Sequence, residues 1–137
     1  DSSTSRGLGD VYKRQILIIA CGGGLGAALR FLVSFYANEH GGLLFPYGTA
    51  IVNIAGSFMI GLCAAYFSVH ADLPPAIRLF AVTGILGGFT TFSTYNLELL
   101  TLIRTGHLSY ACLYGLLNVG VAFICCFIGL IAGESFF

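Results

Sequence analysis

Glycines and polar side chains interrupt an apolar stretch between Gly84 and Glu98, which reads GILGGFTTFSTYNLE. It contains four hydroxyl side chains (Thr90, Thr91, Ser93 and Thr94), three aromatic rings (Phe89, Phe92 and Tyr95) and one carboxylate. Interrupted backbone inside a bilayer is tolerated where it is buried in protein or lines a cavity or ion path. The stretch therefore predicts a helix that is broken beside such a path.

Two further polar residues lie inside apolar segments, Arg30 and Asn53. A charged side chain at the centre of a membrane helix costs roughly 2.5 to 3.5 kcal/mol, so it normally faces a partner or water. Arg30 either serves a functional site or extends to the membrane interface. Asn53 either binds a ligand or forms a hydrogen bond between helices.

Enzymatic chemistry is not indicated by any of these residues. Glu98 is the one acid within an apolar segment, and the histidines His40, His70 and His107 all fall in connectors, so no nucleophile, base and orienting group converge. The glycine run that starts at Gly22 imitates a dinucleotide-binding turn, but the second strand and its acidic residue are missing. We expect a protein that is not an enzyme.

Composition places the chain among membrane proteins. It has 137 residues, of which 57% are hydrophobic and 9% charged, and its mean hydropathy is +0.90. Water-soluble domains do not need so much apolar surface. The formal net charge is zero and no basic patch is present, which argues against nucleic acid as a partner. The five cysteines lie in apolar runs without metal-ligand spacing and are interpreted as small buried hydrophobic residues.

Four apolar segments follow one another, each long enough to cross a bilayer as a helix. They are Ile16–Ala37, Tyr47–Val69, Ala76–Arg104 and Ser109–Ala132. The third exceeds the roughly 20 residues that an upright span needs, which also favours a break at its centre; a tilted continuous helix is the alternative. We interpret residues 16–137 as a four-helix membrane unit, and residues 1–15 as a disordered segment that does not belong to the native protein.

Assembly is suggested by small residues and by charge. Four pairs of small residues, each four positions apart, predict close helix packing: Gly22 with Gly26, Ser57 with Gly61, Gly84 with Gly88, and Gly129 with Gly133. Four spans enclose little volume, so a transport path needs a second copy of the chain. Beyond residue 15, Arg78 and Arg104 fall on opposite sides of the membrane, which leaves the positive-inside signal nearly balanced. Two copies could therefore insert in opposite orientations and pair.

Three motifs resemble the Fluc (CrcB-like) family of fluoride channels. They are GGGLGAALR at residues 22–30, GTAIVNIAGSF at residues 48–58, and GGFTTFSTY at residues 87–95 followed by Glu98. The resemblance runs from Ile16 to about Gly133. It implies an antiparallel, dual-topology homodimer with two pores in the bacterial inner membrane, passive fluoride export against fluoride toxicity, and a structural sodium ion at the dimer centre.

Residue roles follow from the same resemblance. It assigns Asn53 to the pore wall, Phe92 and Tyr95 to the paired aromatic positions, and the backbone carbonyls of Gly87 and Thr90 to the sodium ion. In the fourth span Tyr114 and Asn118 match a family pattern of Tyr followed four residues later by Ser. Tyr95 stands where the family usually has Phe, and Asn118 where it has Ser. Because some members are heterodimers with one degraded pore, a paired homologous subunit remains an alternative.

Physical chemistry agrees with this assignment. Aromatic ring edges are electropositive, and the amide of Asn53 with the hydroxyls of Thr91 and Thr94 could replace part of the hydration shell of an anion. We expect the Tyr95 hydroxyl to hydrogen-bond to Thr91 or Asn118. Two other functions stay open from the residues alone: a proton-coupled exporter that uses Glu98, and a structural subunit whose polar groups only hold helices together.

Overall fold

The computed structural model describes residues 2–42 and 44–137, and the regular secondary structure of these residues is entirely helical. Four helical stretches are long and apolar enough to cross a membrane: Ser3–Gly41, Tyr47–Val69, Pro75–Arg104 and Leu108–Phe136. The predicted all-α fold with four spans is confirmed, and the connectors between spans are short. The described residues therefore form one helical membrane unit.

Five helices make up the four spans. Helix α1 is Ser2–Gly41 and α2 is Tyr47–Val69. Helix α3 covers residues 75–89 and consists of Pro75–Arg78, the π-helical Leu79–Leu86, and Gly87–Phe89. Helix α4 is Ser93–Arg104. Helix α5 covers residues 108–136 and consists of Leu108–Gly115, the π-helical Leu116–Val121, and Ala122–Phe136.

The third span is interrupted between α3 and α4, as the sequence predicts. Thr90 has φ −87° and ψ 156°, an extended conformation that ends α3, and α4 starts three residues later at Ser93. Thr90 and Thr91 are non-helical and Phe92 is a bend. Backbone groups that a continuous helix would pair internally must therefore find other partners inside the membrane.

Glycines bring two pairs of helices into close contact, which confirms the predicted packing. A Cβ added at Gly26 or Gly88 would overlap backbone of the facing helix in the α1–α3 pair. A Cβ added at Gly61 or Gly129 would likewise overlap backbone of the facing helix in the α2–α5 pair. Because only hydrogen fits at these positions, the helix backbones approach each other without intervening side chains.

The buried core of the described residues is small and lies where α2, α4 and α5 meet beside the first connector. It contains Phe45, Ala50, Tyr95, Leu102, Ala111 and Tyr114, with Leu99 and Leu117 packed against it. Many large apolar side chains are exposed on the outside of the helices, including Phe31, Phe92 and Phe123. In a bilayer such surfaces face lipid or another protein chain.

The N-terminal segment differs from the expectation of disorder. Helix α1 begins at Ser2, so residues 2–15 continue the first apolar helix toward the N-terminus. Leu8, Val11 and Tyr12 are exposed. Extending an existing helix adds one hydrogen bond per residue without a new nucleation step, so a helix can continue here without tertiary support. That residues 1–15 are not native stays a prediction.

Candidate functional site: a polar track beside the broken helix

Asn53 on α2 holds the break between α3 and α4. Its amide nitrogen Nδ2 donates to the carbonyl oxygen of Thr91 (2.9 Å) and to Oδ1 of Asn118 on α5 (2.7 Å). Its Oδ1 accepts a hydrogen bond from the backbone N–H of Thr91 (2.8 Å). One side chain thus replaces helical partners for the interrupted backbone and joins three helices.

The same contacts free two carbonyl groups at the break. In a continuous helix the N–H of Thr91 would bond to the Gly87 carbonyl and the N–H of Thr94 to the Thr90 carbonyl. Here the Thr91 N–H donates to Asn53 and the Thr94 N–H donates to the Thr91 hydroxyl (3.3 Å). The carbonyl oxygens of Gly87 and Thr90 are therefore left without their helical donors.

Arg30 on α1 supplies a donor to a third carbonyl of this turn. Its Nε donates to the backbone oxygen of Gly88 at 3.0 Å. The guanidinium lies at the C-terminal end of α3, where the partial negative charge of the helix dipole favours a cation. Of the two readings left open by the sequence, this contact favours a role at the broken helix over extension to the membrane interface.

A cavity of about 310 Å³ lies against the break and is named here the break cavity. It lies between α2, the α3–α4 junction and α5. Residues important for its chemistry are Asn53, Gly87, Thr91, Phe92, Tyr95 and Asn118. Thr90 lines it as well, so the structure brings together five of the predicted pore residues and both predicted sodium ligands.

A second polar cluster surrounds Glu98 on α4. The two carboxylate oxygens accept hydrogen bonds from the Thr49 hydroxyl (2.8 Å) and the Tyr114 hydroxyl (2.9 Å). Glu98 also lines a cavity of about 300 Å³, the connector cavity, together with Asn38, Phe45 and Thr101. Both oxygens of this membrane-embedded acid are therefore satisfied by neutral hydroxyl donors.

Aromatic rings connect the two cavities. The Tyr95 ring lies 5.6 Å from the Phe92 ring and 5.4 Å from the Tyr114 ring, measured between centroids. Tyr95 is 6% exposed and Tyr114 is fully buried, whereas Phe92 is 71% exposed. Phe45 packs edge-on against Tyr114 at 5.5 Å. A row of aromatic rings and polar groups thus runs from the break cavity to Glu98, and we name it the polar track.

Three details differ from the sequence expectations. Both N–H groups of Asn53 are bonded to protein, so the amide has no free donor for an anion. Among the described residues, Tyr95 has no hydrogen bond to Thr91 or Asn118; the Asn118 amide instead accepts from Asn53 and donates to the Tyr114 carbonyl (3.0 Å). Thr94 and the fully buried Tyr114 line neither of the two cavities.

Thr49 and Asn38 are polar residues whose roles the sequence does not reveal. Thr49 is buried and donates to Glu98, and the Asn38 side chain accepts the N–H of Gly48 (3.0 Å) near the start of α2. Thr49 lies within the GTAIVNIAGSF motif, which is the signal that could have identified it. The residue type by itself does not indicate the contact, because a threonine in a helix more commonly bonds back to its own preceding turn.

The fold and the site define a class: a multi-pass helical membrane protein with a polar track beside a broken span. Comparison with known families agrees with this class. The family model described as CrcB-like protein, Camphor Resistance (CrcB), matches residues 17–130. The chain belongs to the CrcB-like family.

Individual relatives extend the similarity over most of the chain. A protein of Methylobacterium sp. (strain 4-46) named fluoride-specific ion channel FluC is 49% identical over 108 residues, which are 77% of this chain and 86% of the relative. A protein of the same name from Aquifex aeolicus is 42% identical over 120 residues, 88% and 97% of the two chains. The one from Agrobacterium fabrum is 39% identical over 123 residues, 90% and 98%.

Proposed function

We propose that this chain is the subunit of a fluoride-selective channel that lets fluoride leave the cell passively across the bacterial inner membrane and so relieves fluoride toxicity. The observation that carries the proposal is the polar track, in a chain whose relatives are named fluoride-specific ion channels. No enzymatic step is needed for this function. The chain supplies a path that a small anion can enter and leave.

The groups along the track suit an anion that must not be trapped. The electropositive ring edges of Phe92, Tyr95 and Tyr114 offer weak contacts without a full positive charge. The Thr91 hydroxyl accepts from Thr94 and keeps its own proton for donation. Several weak sites in series allow both entry and exit, which conduction requires.

The working unit is an antiparallel homodimer. A single chain leaves Phe92 71% exposed at the edge of the break cavity, although a pore wall should be enclosed. A second copy in the opposite orientation would cover this edge. Because Arg78 and Arg104 lie at opposite ends of the third span, the charge pattern permits insertion both ways. A homologous partner chain would serve the same purpose in a heterodimer.

A sodium ion at the dimer centre would be held by the Gly87 and Thr90 carbonyls of both chains. The donor set fits, because these oxygens have lost their helical donors and hard cations prefer oxygen ligands. When bound, the ion supplies positive charge that stabilises the carbonyl ends of the broken helices. Its role would be structural, and fluoride would be the ion that moves.

Fluoride release from liposomes tests this function. Purified protein is reconstituted into vesicles loaded with fluoride or chloride, and the external anion is followed with ion-selective electrodes. We expect fluoride release, chloride retention, and no dependence on a proton gradient. Replacing sodium by a large organic cation on both sides should lower the flux, because the broken helices lose their central charge.

Two outcomes would favour the alternative functions. Fluoride movement that follows an imposed proton gradient would indicate a proton-coupled exporter that uses Glu98. Absence of flux from well-folded protein would favour a structural subunit, unless adding a homologous chain restores activity, in which case the channel is a heterodimer. Release by the single purified chain would establish that it is sufficient on its own.

A further inference from the structure

Two residues that line the break cavity, Asn53 and Thr90, already use their side-chain hydrogen-bond donors within the protein. The two N–H groups of the Asn53 side chain donate to the Thr91 carbonyl and to Oδ1 of Asn118. The Thr90 hydroxyl donates to the Leu86 carbonyl (3.0 Å). An anion in this cavity must therefore be bound by donors other than these, because each used donor would first have to break an existing bond.

Tyr95, like Thr91 and Ser57, lines the break cavity with a hydroxyl that donates to no atom of the described residues, and of the three it is the phenol. Among the described residues its hydroxyl makes no hydrogen bond, yet no buried side-chain oxygen or nitrogen of that part of the chain lacks a partner. The hydroxyl must therefore reach accessible space. Tyr95 is 6% exposed and, of the two cavities named above, lines only the break cavity, so we infer that the hydroxyl opens into it.

The surroundings hold this hydroxyl in place without binding it. The Tyr95 ring is packed between the rings of Phe92 and Tyr114. Toward α5 the hydroxyl faces Gly115, where an added Cβ would lie 3.5 Å away, an ordinary contact distance. Since glycine has no side chain, α5 offers the phenol no polar partner at this point.

We propose that the Tyr95 hydroxyl donates a hydrogen bond directly to the anion in the break cavity and sets the affinity of the site, whereas Asn53 fixes the shape of the break. This inference rests on the proposed channel function. A phenol is a stronger donor than an aliphatic alcohol, because its conjugate base is delocalised over the ring. Hydrogen bonds to a charged partner are also stronger than neutral ones.

Replacing the phenol by a phenyl ring tests the proposal. Tyr95→Phe removes one oxygen and keeps the ring packing, so the variant should fold like the original protein. Fluoride release from liposomes is measured over a series of fluoride concentrations. We expect the half-saturating concentration to rise at least roughly tenfold, the loss associated with one charge-assisted hydrogen bond. Tyr110→Phe is the matched control, because Tyr110 lines neither cavity and is exposed at the start of α5.

A binding measurement separates this inference from the channel itself. Calorimetric titration of the solubilised protein with sodium fluoride, with sodium chloride as reference, reports affinity without transport. Weaker binding in Tyr95→Phe but not in Tyr110→Phe supports the inference, even if the original protein transports nothing and the channel function fails. Unchanged affinity in Tyr95→Phe overturns it, as does a higher maximal flux at unchanged half-saturation, which would mean that the hydroxyl only obstructs the path. Absence of both binding and flux in the original protein overturns both proposals.

Discussion

A single amide determines the local geometry at the break. The Asn53 side chain uses two donors and one acceptor within 3 Å of Thr91 and Asn118. The Thr91 backbone supplies both a carbonyl and an N–H to this pairing, much as a neighbouring strand would. A side-chain amide can satisfy both groups at once, because it carries a donor and an acceptor on the same carbon.

Replacing Asn53 by Asp should disrupt the break and stop transport. The aspartate would put negative oxygen opposite the Thr91 carbonyl and Asn118 Oδ1, so two hydrogen bonds become repulsive contacts. It would also place a negative charge beside the anion path. We expect loss of fluoride release and a lower stability, on the order of 1 to 3 kcal/mol, measured by thermal unfolding in detergent.

Asn38→Asp is the control for the stability measurement. The contact of Asn38 uses its Oδ1 as acceptor for the Gly48 N–H, and aspartate keeps an accepting oxygen there. Asn38→Asp adds the same charge beside Glu98, so the thermal unfolding temperature should fall, but by less than that of the Asn53→Asp protein. Equal stability of the Asn53 and Asn38 variants, with flux retained in the first, would remove Asn53 from the polar track.

At the scale of helices, the sequence predicts elements well and side-chain pairings poorly. The break follows from glycines and hydroxyls inside an overlong span, because these residue types weaken a helix and offer other partners to its backbone. The hydrogen-bond partners of Asn53 and Thr49 cannot be predicted from the sequence, because a polar group in a membrane helix can bond to any neighbour that helix rotation brings near. For the same reason the expected hydrogen bond between the Tyr95 hydroxyl and Asn118 does not form: the Asn118 amide is bonded to Asn53 and to the Tyr114 carbonyl.

Close packing of α1 against α3 should depend on individual glycines. A Cβ at Gly26 would overlap the Ile85 carbonyl group, so Gly26→Ala must push the two helices apart. Overpacking of this kind costs about 1 to 3 kcal/mol. Since α3 carries the freed carbonyl of Gly87, we expect both a lower thermal unfolding temperature and reduced fluoride release.

Gly24→Ala is the matched control within the same glycine run. No heavy atom lies within 4 Å of a Cβ placed at Gly24, so the substitution meets open space. Alanine also favours helix over glycine by up to about 1 kcal/mol. We expect the Gly24→Ala protein to have unchanged or slightly higher stability. If the Gly26→Ala and Gly24→Ala proteins had the same thermal unfolding temperature, α1 and α3 could move apart without loss of stability.

At the scale of the whole molecule, charge and exposed surface point to a pair of opposed chains. Arg78 and Arg104 are exposed at the two ends of the third span, and Arg30 is engaged at its centre by Gly88. Arg78 and Arg104 favour opposite orientations and balance each other, and Arg30 lies within its span, so the three arginines together favour neither orientation. The N-terminal residues Lys13 and Arg14 would add charge to one side if they belong to the native chain.

Orientation in the membrane should therefore be mixed. A single cysteine replaces Ala71, an exposed residue of the second connector, in a chain whose five native cysteines are substituted, and a membrane-impermeant thiol reagent is added before or after permeabilisation. We expect about half of the sites to be labelled from each face when residues 2–15 are removed.

Asp72→Lys in the same connector should shift labelling toward one face and lower fluoride release, because opposed pairs become rare. Labelling from one face only, in the chain without residues 2–15, would rule out the antiparallel dimer. A one-sided result confined to the chain that keeps these residues would identify Lys13 and Arg14 as topology signals.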